Sequence, residues 1–307
     1  MRRFLWILIL IAIVSAGWIR PVAAQDEDER VDSAFSDQII RTLGYPEVAI
    51  SVGPEGIEAP STLEAGLHLI TLTTPEPYIA YLNLMQPAAG LSDEEILELA
   101  EAAGTNDLPQ SDWVYAGGTN TPGTGESASF IIDLQPGDYQ VVASYYTDDP
   151  SQEEVYALSP LTVTAATAEA TPGAVEPAST VTLEMTDDLQ YIVTPNRVPA
   201  GPQVWKSENT GQMHAHHVVM VRVPDGATAP DIIGEFNGMM AGTPPAGDSL
   251  FAQAIWVGYA ALQSGGATTW AEFDLEPATY AVICFIINPD TGRPHAADGM
   301  VTVFPVA

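Results

Sequence analysis

The sequence predicts an all-β protein: two tandem Greek-key β-sandwiches, each with one short inserted helix. Three observations support this. The chain has 307 residues, more than one ordinary domain needs, and 46% of them are apolar, enough for two cores. Most segments are short, rich in Val, Ile, Thr and aromatic residues, and bounded by Pro, Gly and Asn, as in strands. The second half also repeats the first, and a run of short strands with one helix per half favours the sandwich.

The repeat is clearest where each half nears its end. Residues 133–143 align with residues 274–284 at an offset of 141, and both contain Asp-Leu, then Pro, then Tyr at matching positions. Residues 166–178 are rich in Ala, Thr and Pro without periodicity, which is typical of a linker. We therefore expect one domain at 31–165 and a second at 179–307.

Each predicted element has a local reason. In the second half, alternation predicts strands at 180–185, 203–207, 218–223, 268–275, 280–287 and 300–305. In the first half, Ser92 and Glu95 form a capping box ahead of an apolar run, so a helix begins there. In the second half, residues 230–240 place Ile232, Ile233 and Phe236 on one helical face.

The N-terminus predicts export. Arg2 and Arg3 precede an apolar run at 4–19, and small residues lead up to Gln25, so we expect a signal peptide at 1–24. The mature protein would be periplasmic, cell-surface or extracellular, with no transmembrane domain after cleavage. The alternative is a retained anchor, although a span needs roughly 20 apolar residues. The twin arginines leave a Sec or a Tat route open.

Charge limits the partners. The chain carries 9 basic and 40 acidic residues, a net charge of −31, and three of the basic residues lie within 1–24. Such a surface repels nucleic acid and attracts a cationic protein partner. Adaptation to high salt, or solubility alone, explains the same charge. No Gly-rich phosphate loop and no Gly-x-Ser-x-Gly elbow occurs, so we expect no enzyme.

Cys284 is the only cysteine, so it cannot form an intramolecular disulfide. It is followed by His295 and then Met300 in the pattern Cys-x10-His-x4-Met, and three histidines precede the strand predicted at 218–223: His214, His216 and His217. A mononuclear copper site for electron transfer uses these ligand types: one thiolate, two imidazoles and a weak axial thioether. Taken one at a time, each of these residues is more often a packing or surface residue.

These motifs resemble the cupredoxin family over about 125 residues of the second half. The resemblance implies a cupredoxin-like fold and one type 1 copper that transfers single electrons to a redox partner. It also implies four ligands: His216, Cys284, His295 and Met300. His214 and His217 are alternates for the first ligand, and the ten-residue loop before His295 is longer than in small blue copper proteins. The alternatives are a copper-free binding module at the cell surface, and copper storage or delivery.

The first half lacks every one of these ligands. On the repeat alignment its residues at the three positions are Ala143, Val155 and Pro160, and the segment matching the histidine cluster, 78–81, contains no histidine. We therefore expect a degenerate cupredoxin-like domain without metal, serving for interaction or as a spacer, in which His68 is a packing or surface residue.

Overall fold

The structure of the chain, a computed structural model, describes residues 34–147, 149, 151–166, 175–243 and 249–307. The predicted signal peptide at 1–24 and most of the predicted linker at 166–178 lie outside these residues. No helix in the described part of the chain is long and apolar enough to cross a membrane.

Strands dominate both halves. The first ten are β1 Phe35–Ser36, β2 Glu47–Gly53, β3 Gly56–Glu58, β4 Thr62–Glu64, β5 Gly66–Thr73, β6 Tyr78–Gln86, β7 Val114–Asn120, β8 Ser127–Leu134, β9 Gly137–Thr147 and β10 Val155–Thr164. The second ten are β11 Val181–Thr186, β12 Gln190–Thr194, β13 Gly201–Asn209, β14 His216–Val223, β15 Ile255–Gln263, β16 Thr268–Leu275, β17 Ala278–Ile283, β18 Ile287–Asn288, β19 Arg293–Pro294 and β20 Val301–Val306. The predicted all-β class is confirmed.

Helices are few and begin at sequence-coded caps. Helix α1 spans Asp93–Asn106, and the capping box of Ser92 and Glu95 is present as predicted. Helix α2 spans Ala229–Met240 behind a second capping box, formed by Thr228 and Asp231. A further short helix, α3 at Leu250–Gln253, means that the second half carries two inserted helices where one was expected. Single 3-10 turns occur at Ile40–Leu43 and His295–Asp298.

The strands form three main sheets and one two-stranded sheet. One nine-stranded sheet has the order β12-β11-β13-β16-β8-β5-β2-β3, with β1 paired to β16. A five-stranded sheet, β4-β10-β9-β6-β7, covers it in the first half, and a four-stranded sheet, β15-β14-β17-β20, covers it in the second. Strands β18 and β19 pair only with each other.

Apolar side chains fill the space between the layers in each half. In the first half, Ile70 and Phe130 of the large sheet pack with Leu82 and Val141 of the five-stranded sheet. In the second half, Trp205 lies against Phe273 and Phe304, with ring centroids 6.1 and 5.5 Å apart. Strand alternation delivers these residues to one face, which makes each half a β-sandwich in cross-section.

The halves are not two separate sandwiches in tandem, because the large sheet runs through both. Strand β8 pairs with β16, with Ile131 opposite Trp270. On the outer face of this junction, Ile40, Leu69 and Val204 join them in one buried cluster. In the covering layer, Ser264 N donates to Tyr115 O at 2.8 Å, so β15 also lies beside β7. The halves therefore stack edge to edge along one continuous sheet.

Candidate metal centre

The four predicted ligands lie at one end of the second half. His216 opens β14, Cys284 directly follows the last residue of β17, His295 begins a 3-10 turn, and Met300 precedes β20. Strands β14 and β17 are neighbours, with Val219 opposite Ile283, so the ends carrying His216 and Cys284 lie side by side. Neighbouring antiparallel strands thus supply two donors, and the return to β20 supplies the other two.

The long loop between Cys284 and His295 folds back as a hairpin. Ile287 pairs with Pro294 and Asn288 with Arg293 across β18 and β19. Gly292 closes the turn at φ +66°, a left-handed conformation that favours glycine. After the hairpin, His295 N donates to Ile286 O at 2.8 Å, and Ala296 N donates to Cys284 O at 2.8 Å. The additional residues form this hairpin, and the chain after it lies beside Cys284 again.

The ligand atoms of three residues lie close together. Nδ1 of His216 is 3.1 Å from Nδ1 of His295, and Cys284 Sγ is 4.0 Å from the first and 3.5 Å from the second. A point equidistant from these atoms lies about 2.1 Å from each, close to the ~2.0–2.3 Å that metal bonds to imidazole and thiolate require. The triangle therefore has the size of a trigonal metal plane.

Met300 is held beside this triangle by its backbone. Cys284 N donates to Met300 O at 3.2 Å, and Met300 N donates to His295 O at 2.9 Å. Its side chain belongs to the same buried cluster as Cys284. All four residues are at most 1% exposed, so the donors face the protein interior. A thioether is the soft, weak fourth ligand that a copper plane takes, and Met300 is the residue that would supply it.

The protonation of the histidines suits a metal. Burial, with a smaller effect from the neighbouring imidazoles, lowers the pKa of His216 to about 3 and that of His295 to about 4. Both rings are neutral at pH 7 and can offer a lone pair at Nδ1. Their Nε2 atoms have no hydrogen-bond partner among the described residues, so Nε2 can keep the proton while Nδ1 binds.

Cys284 is protonated without a metal and is surrounded by donors that favour the thiolate. Burial raises the pKa of the thiol to about 12, while hydrogen bonds from the backbone at His217 and Ile286 and from the Tyr191 hydroxyl act to lower it. That hydroxyl has one proton, for which Cys284 Sγ and His217 O compete. A cation at the triangle would replace the thiol proton and remove the cost of a buried negative charge.

The alternate histidines lie apart from the triangle. His217 points to the other strand face, where its Nε2 accepts from Phe285 N at 2.9 Å and its ring packs on Tyr259. His214 is partly exposed, with its ring centroid 5.4 Å from that of His295. In the first half, His68 Nε2 bonds to Glu64 O at 2.7 Å.

Two supporting residues had only weak sequence signals. Asn209 Nδ2 donates to His214 O and Gln263 O, both at 2.8 Å, which fixes the turn ahead of His216. Arg293 donates to Asp298 Oδ1 at 2.6 Å and to Asn237 Oδ1 at 2.8 Å, which ties the hairpin to α2. An Asn-x-Gly turn and a scarce basic residue in an acidic chain were the available clues.

A cavity of about 290 Å³ lies between the halves beside the cluster. Its second-half wall includes Met213, His214 and His295, and its first-half wall includes Trp113 and Tyr115. The sequence repeat gave no sign of this juxtaposition, because it depends on how β7 lies against β15.

Two imidazoles, one thiolate and one thioether on a stiff sheet are the donor set of one type 1 copper site, and the residues present fit that ion. Harder cations prefer oxygen ligands, and a closed tetrahedral zinc site uses thiolates and imidazoles without a thioether.

Solved structures of copper proteins are among those similar to this chain. Auracyanin from the photosynthetic bacterium Roseiflexus castenholzii is 24% identical, with 42% of this chain and 99% of that chain covered at a TM-score of 0.25. Auracyanin A, a "blue" copper protein from Chloroflexus aurantiacus, is 19% identical over 41% of this chain and 98% of that chain, with a TM-score of 0.26. A multicopper oxidase from Pediococcus acidilactici is 13% identical over 87% of this chain and 61% of that chain, with a TM-score of 0.24.

No protein-family model matches the chain, and no curated protein matches it.

Proposed function

We propose that this chain is an exported cupredoxin-like protein that binds one copper ion at His216, Cys284, His295 and Met300 and transfers single electrons. The observation that carries the proposal is the buried triangle of Nδ1, Nδ1 and Sγ, with edges of 3.1, 3.5 and 4.0 Å. Copper, when bound, supplies a one-electron couple between Cu(I) and Cu(II).

The surrounding residues support electron transfer over chemistry on a substrate. All four donors come from strand ends or from a loop pinned by backbone hydrogen bonds, so they can keep one geometry in both oxidation states. Because these donors are buried, the site leaves little room for a substrate molecule at the metal. We therefore propose that the protein carries electrons and is not an enzyme.

The partner we propose is a redox protein with a cationic surface. The chain has a net charge of −31, which accelerates encounter with positive partners and disfavours nucleic acid. We propose the first half as a metal-free cupredoxin-like domain at 31–165, and the second half, 179–307, as the copper domain.

Copper titration of the full chain tests the binding proposal. Metal-free protein given one equivalent of Cu(II) should develop intense visible absorption and the narrow copper hyperfine splitting that a covalent thiolate bond gives in electron paramagnetic resonance. Ascorbate should bleach the colour reversibly. The Cys284→Ala variant should remain colourless, and His68→Gln, which changes a buried histidine outside the cluster, should behave like the unmodified protein.

Two outcomes would contradict the proposal. Failure of the unmodified protein to bind copper would leave a metal-free module. Tight binding of Cu(I) without a visible Cu(II) band would favour copper storage or delivery.

A further inference from the structure

The four donors are enclosed by protein, so a copper ion must reach them through the structure. The cavity between the halves is lined by His295 of the second half and by Trp113 and Tyr115 of the first. The Nδ1 atom of His295 faces the triangle. Its ring therefore borders both the cavity and the triangle of candidate ligand atoms.

Two soft donors stand at the wall of this cavity and have no role in the triangle. Met213 is 73% exposed, an unusual position for a thioether side chain. His214 follows it directly, is partly exposed, and has its ring centroid 5.4 Å from that of His295 and 6.2 Å from that of His216. The sequence Met213-His214-Ala215-His216 thus runs from solvent to the buried site.

This segment is anchored in place. The Asp187 carboxylate accepts hydrogen bonds from Gln212 N at 2.8 Å and Met213 N at 2.8 Å, so the backbone at the cavity wall is fixed from strand connection β11–β12. Asn209 Nδ2 holds the carbonyl of His214 at 2.8 Å. The hydrogen bonds therefore hold the backbone of Met213 and His214 in one place at the cavity wall.

We propose that Met213 and His214 form a transient docking site for an incoming copper ion, which then passes His295 into the buried triangle. This inference rests on the copper-binding function proposed above. A thioether and an imidazole select soft or borderline cations, above all Cu(I). Two ligands hold a copper ion more weakly than four, so the ion moves on to the buried site with four ligands. The net charge of −31 attracts cations to the protein as a whole.

The test separates the rate of loading from its end point. Metal-free full-length protein is mixed in a stopped-flow instrument with Cu(I) under anaerobic conditions, and thiolate-to-copper absorption in the ultraviolet is followed. We expect the double variant Met213→Leu/His214→Ala to load about tenfold more slowly, because local capture and steering raise association rates by that order or more. The single variant Met213→Leu should slow Cu(I) uptake more than Cu(II) uptake, since a thioether prefers Cu(I).

Matched controls exclude general effects. Met240→Leu makes the same substitution at the end of α2, away from the cavity, and should load at the unmodified rate. The final visible spectrum of the Cu(II)-loaded Met213→Leu protein should equal that of the unmodified protein, which shows that the buried triangle is intact.

The outcomes distinguish the two proposals. If the unmodified protein and the double variant both reach the copper-bound state at the same rate, the docking site is wrong and the copper centre stands. If the unmodified protein takes up no copper at all, the proposed function fails and the docking site fails with it. If the variants load normally but end with an altered spectrum, Met213 or His214 belongs to the final site and the transient role is wrong.

Discussion

The two halves differ most at the position where one has Ala143 and the other has Cys284. In the first half β9 continues without a break through Gly137–Thr147, and Ala143 sits opposite Ala157 of β10. In the second half β17 ends at Ile283, and Cys284 leaves the ladder to bond with Met300 O. The same strand therefore either completes a β-ladder or stops early and opens a loop.

The candidate metal site is an addition to the scaffold and not its support. Each half has an apolar core between two sheets, and the first forms this core without any ligand. What the second half adds is an early strand end, a hairpin and a 3-10 turn that returns His295. The first half therefore has the longer strand and no ligands, and the second half has the shorter strand and the candidate ligands.

The junction between the halves provides the largest expected effect. Trp270 of β16 is 4% exposed and packs in a cluster with residues of both halves. The substitution Trp270→Ala should cost about 3–5 kcal/mol of unfolding free energy, the range for large aromatic truncations in a core. Chemical denaturation should then show the halves unfolding in separate transitions. A single transition with an unchanged midpoint would contradict the role of the shared sheet.

Copper should stabilise one half more than the other. At a free copper concentration 1,000 times the dissociation constant, binding to the folded state adds about 4 kcal/mol. We expect hydrogen exchange to slow in 179–307 much more than in 31–165 when copper is added. Cys284→Ala should abolish the difference, and equal slowing in both halves would contradict a site confined to the second.

A titration in the first half should change stability in the opposite direction to the site histidines. Burial and the nearby Glu154 raise the pKa of Asp107 from 3.8 to about 7, so the folded state keeps a proton that the unfolded chain releases. Stability is therefore lost as the pH rises from about 4 to about 7. For His216 and His295 the folded pKa is lowered, so stability is lost as the pH falls from about 6.5 to about 3.

Asp107→Asn isolates the first of these effects. The residue lies in a left-handed conformation at φ 50°, which asparagine tolerates. We expect the variant to be more stable by about 4 kcal/mol at pH 8, since each of the roughly 3 units of pKa change is worth about 1.4 kcal/mol, and unchanged near pH 3, where the carboxyl is protonated in both states. Urea denaturation at the two pH values measures this, and a gain of equal size at pH 3 would exclude the ionisation as its cause.

The smallest expected effect comes from placing a thiol in the other half. Ala143→Cys adds one sulfur atom at a buried site, so we expect crowding to lower the free energy of unfolding by about 1 kcal/mol or more. No histidine lies near this position in the sequence. In the Cys284→Ala background this variant should remain colourless with Cu(II). Visible absorption would show that a thiol on the scaffold is sufficient for a coloured copper site, and it would contradict a role for the histidines of the second half.

Several elements were predicted from the sequence because their cause is local. The capping box at Ser92 and Glu95 starts a helix as expected, and β16 spans Thr268–Leu275 as the alternation predicted. The strand predicted at 280–287 ends four residues early, because the chain turns towards the hairpin at Cys284. Strand β15 at Ile255–Gln263 and the hairpin strands β18 and β19 were not predicted. Their pairing partners are distant in sequence or too short to show alternation.

Sequence alone determined which donor types this chain carries, that it has two related halves, and that only the second contains a cysteine, because composition and repeats are properties of the chain itself. Tertiary structure decided that His216, Cys284 and His295 meet, that Met213 and His214 border a cavity lined by both halves, and that both halves share one sheet. These depend on strand pairing and loop closure between residues far apart in sequence, which no local pattern specifies.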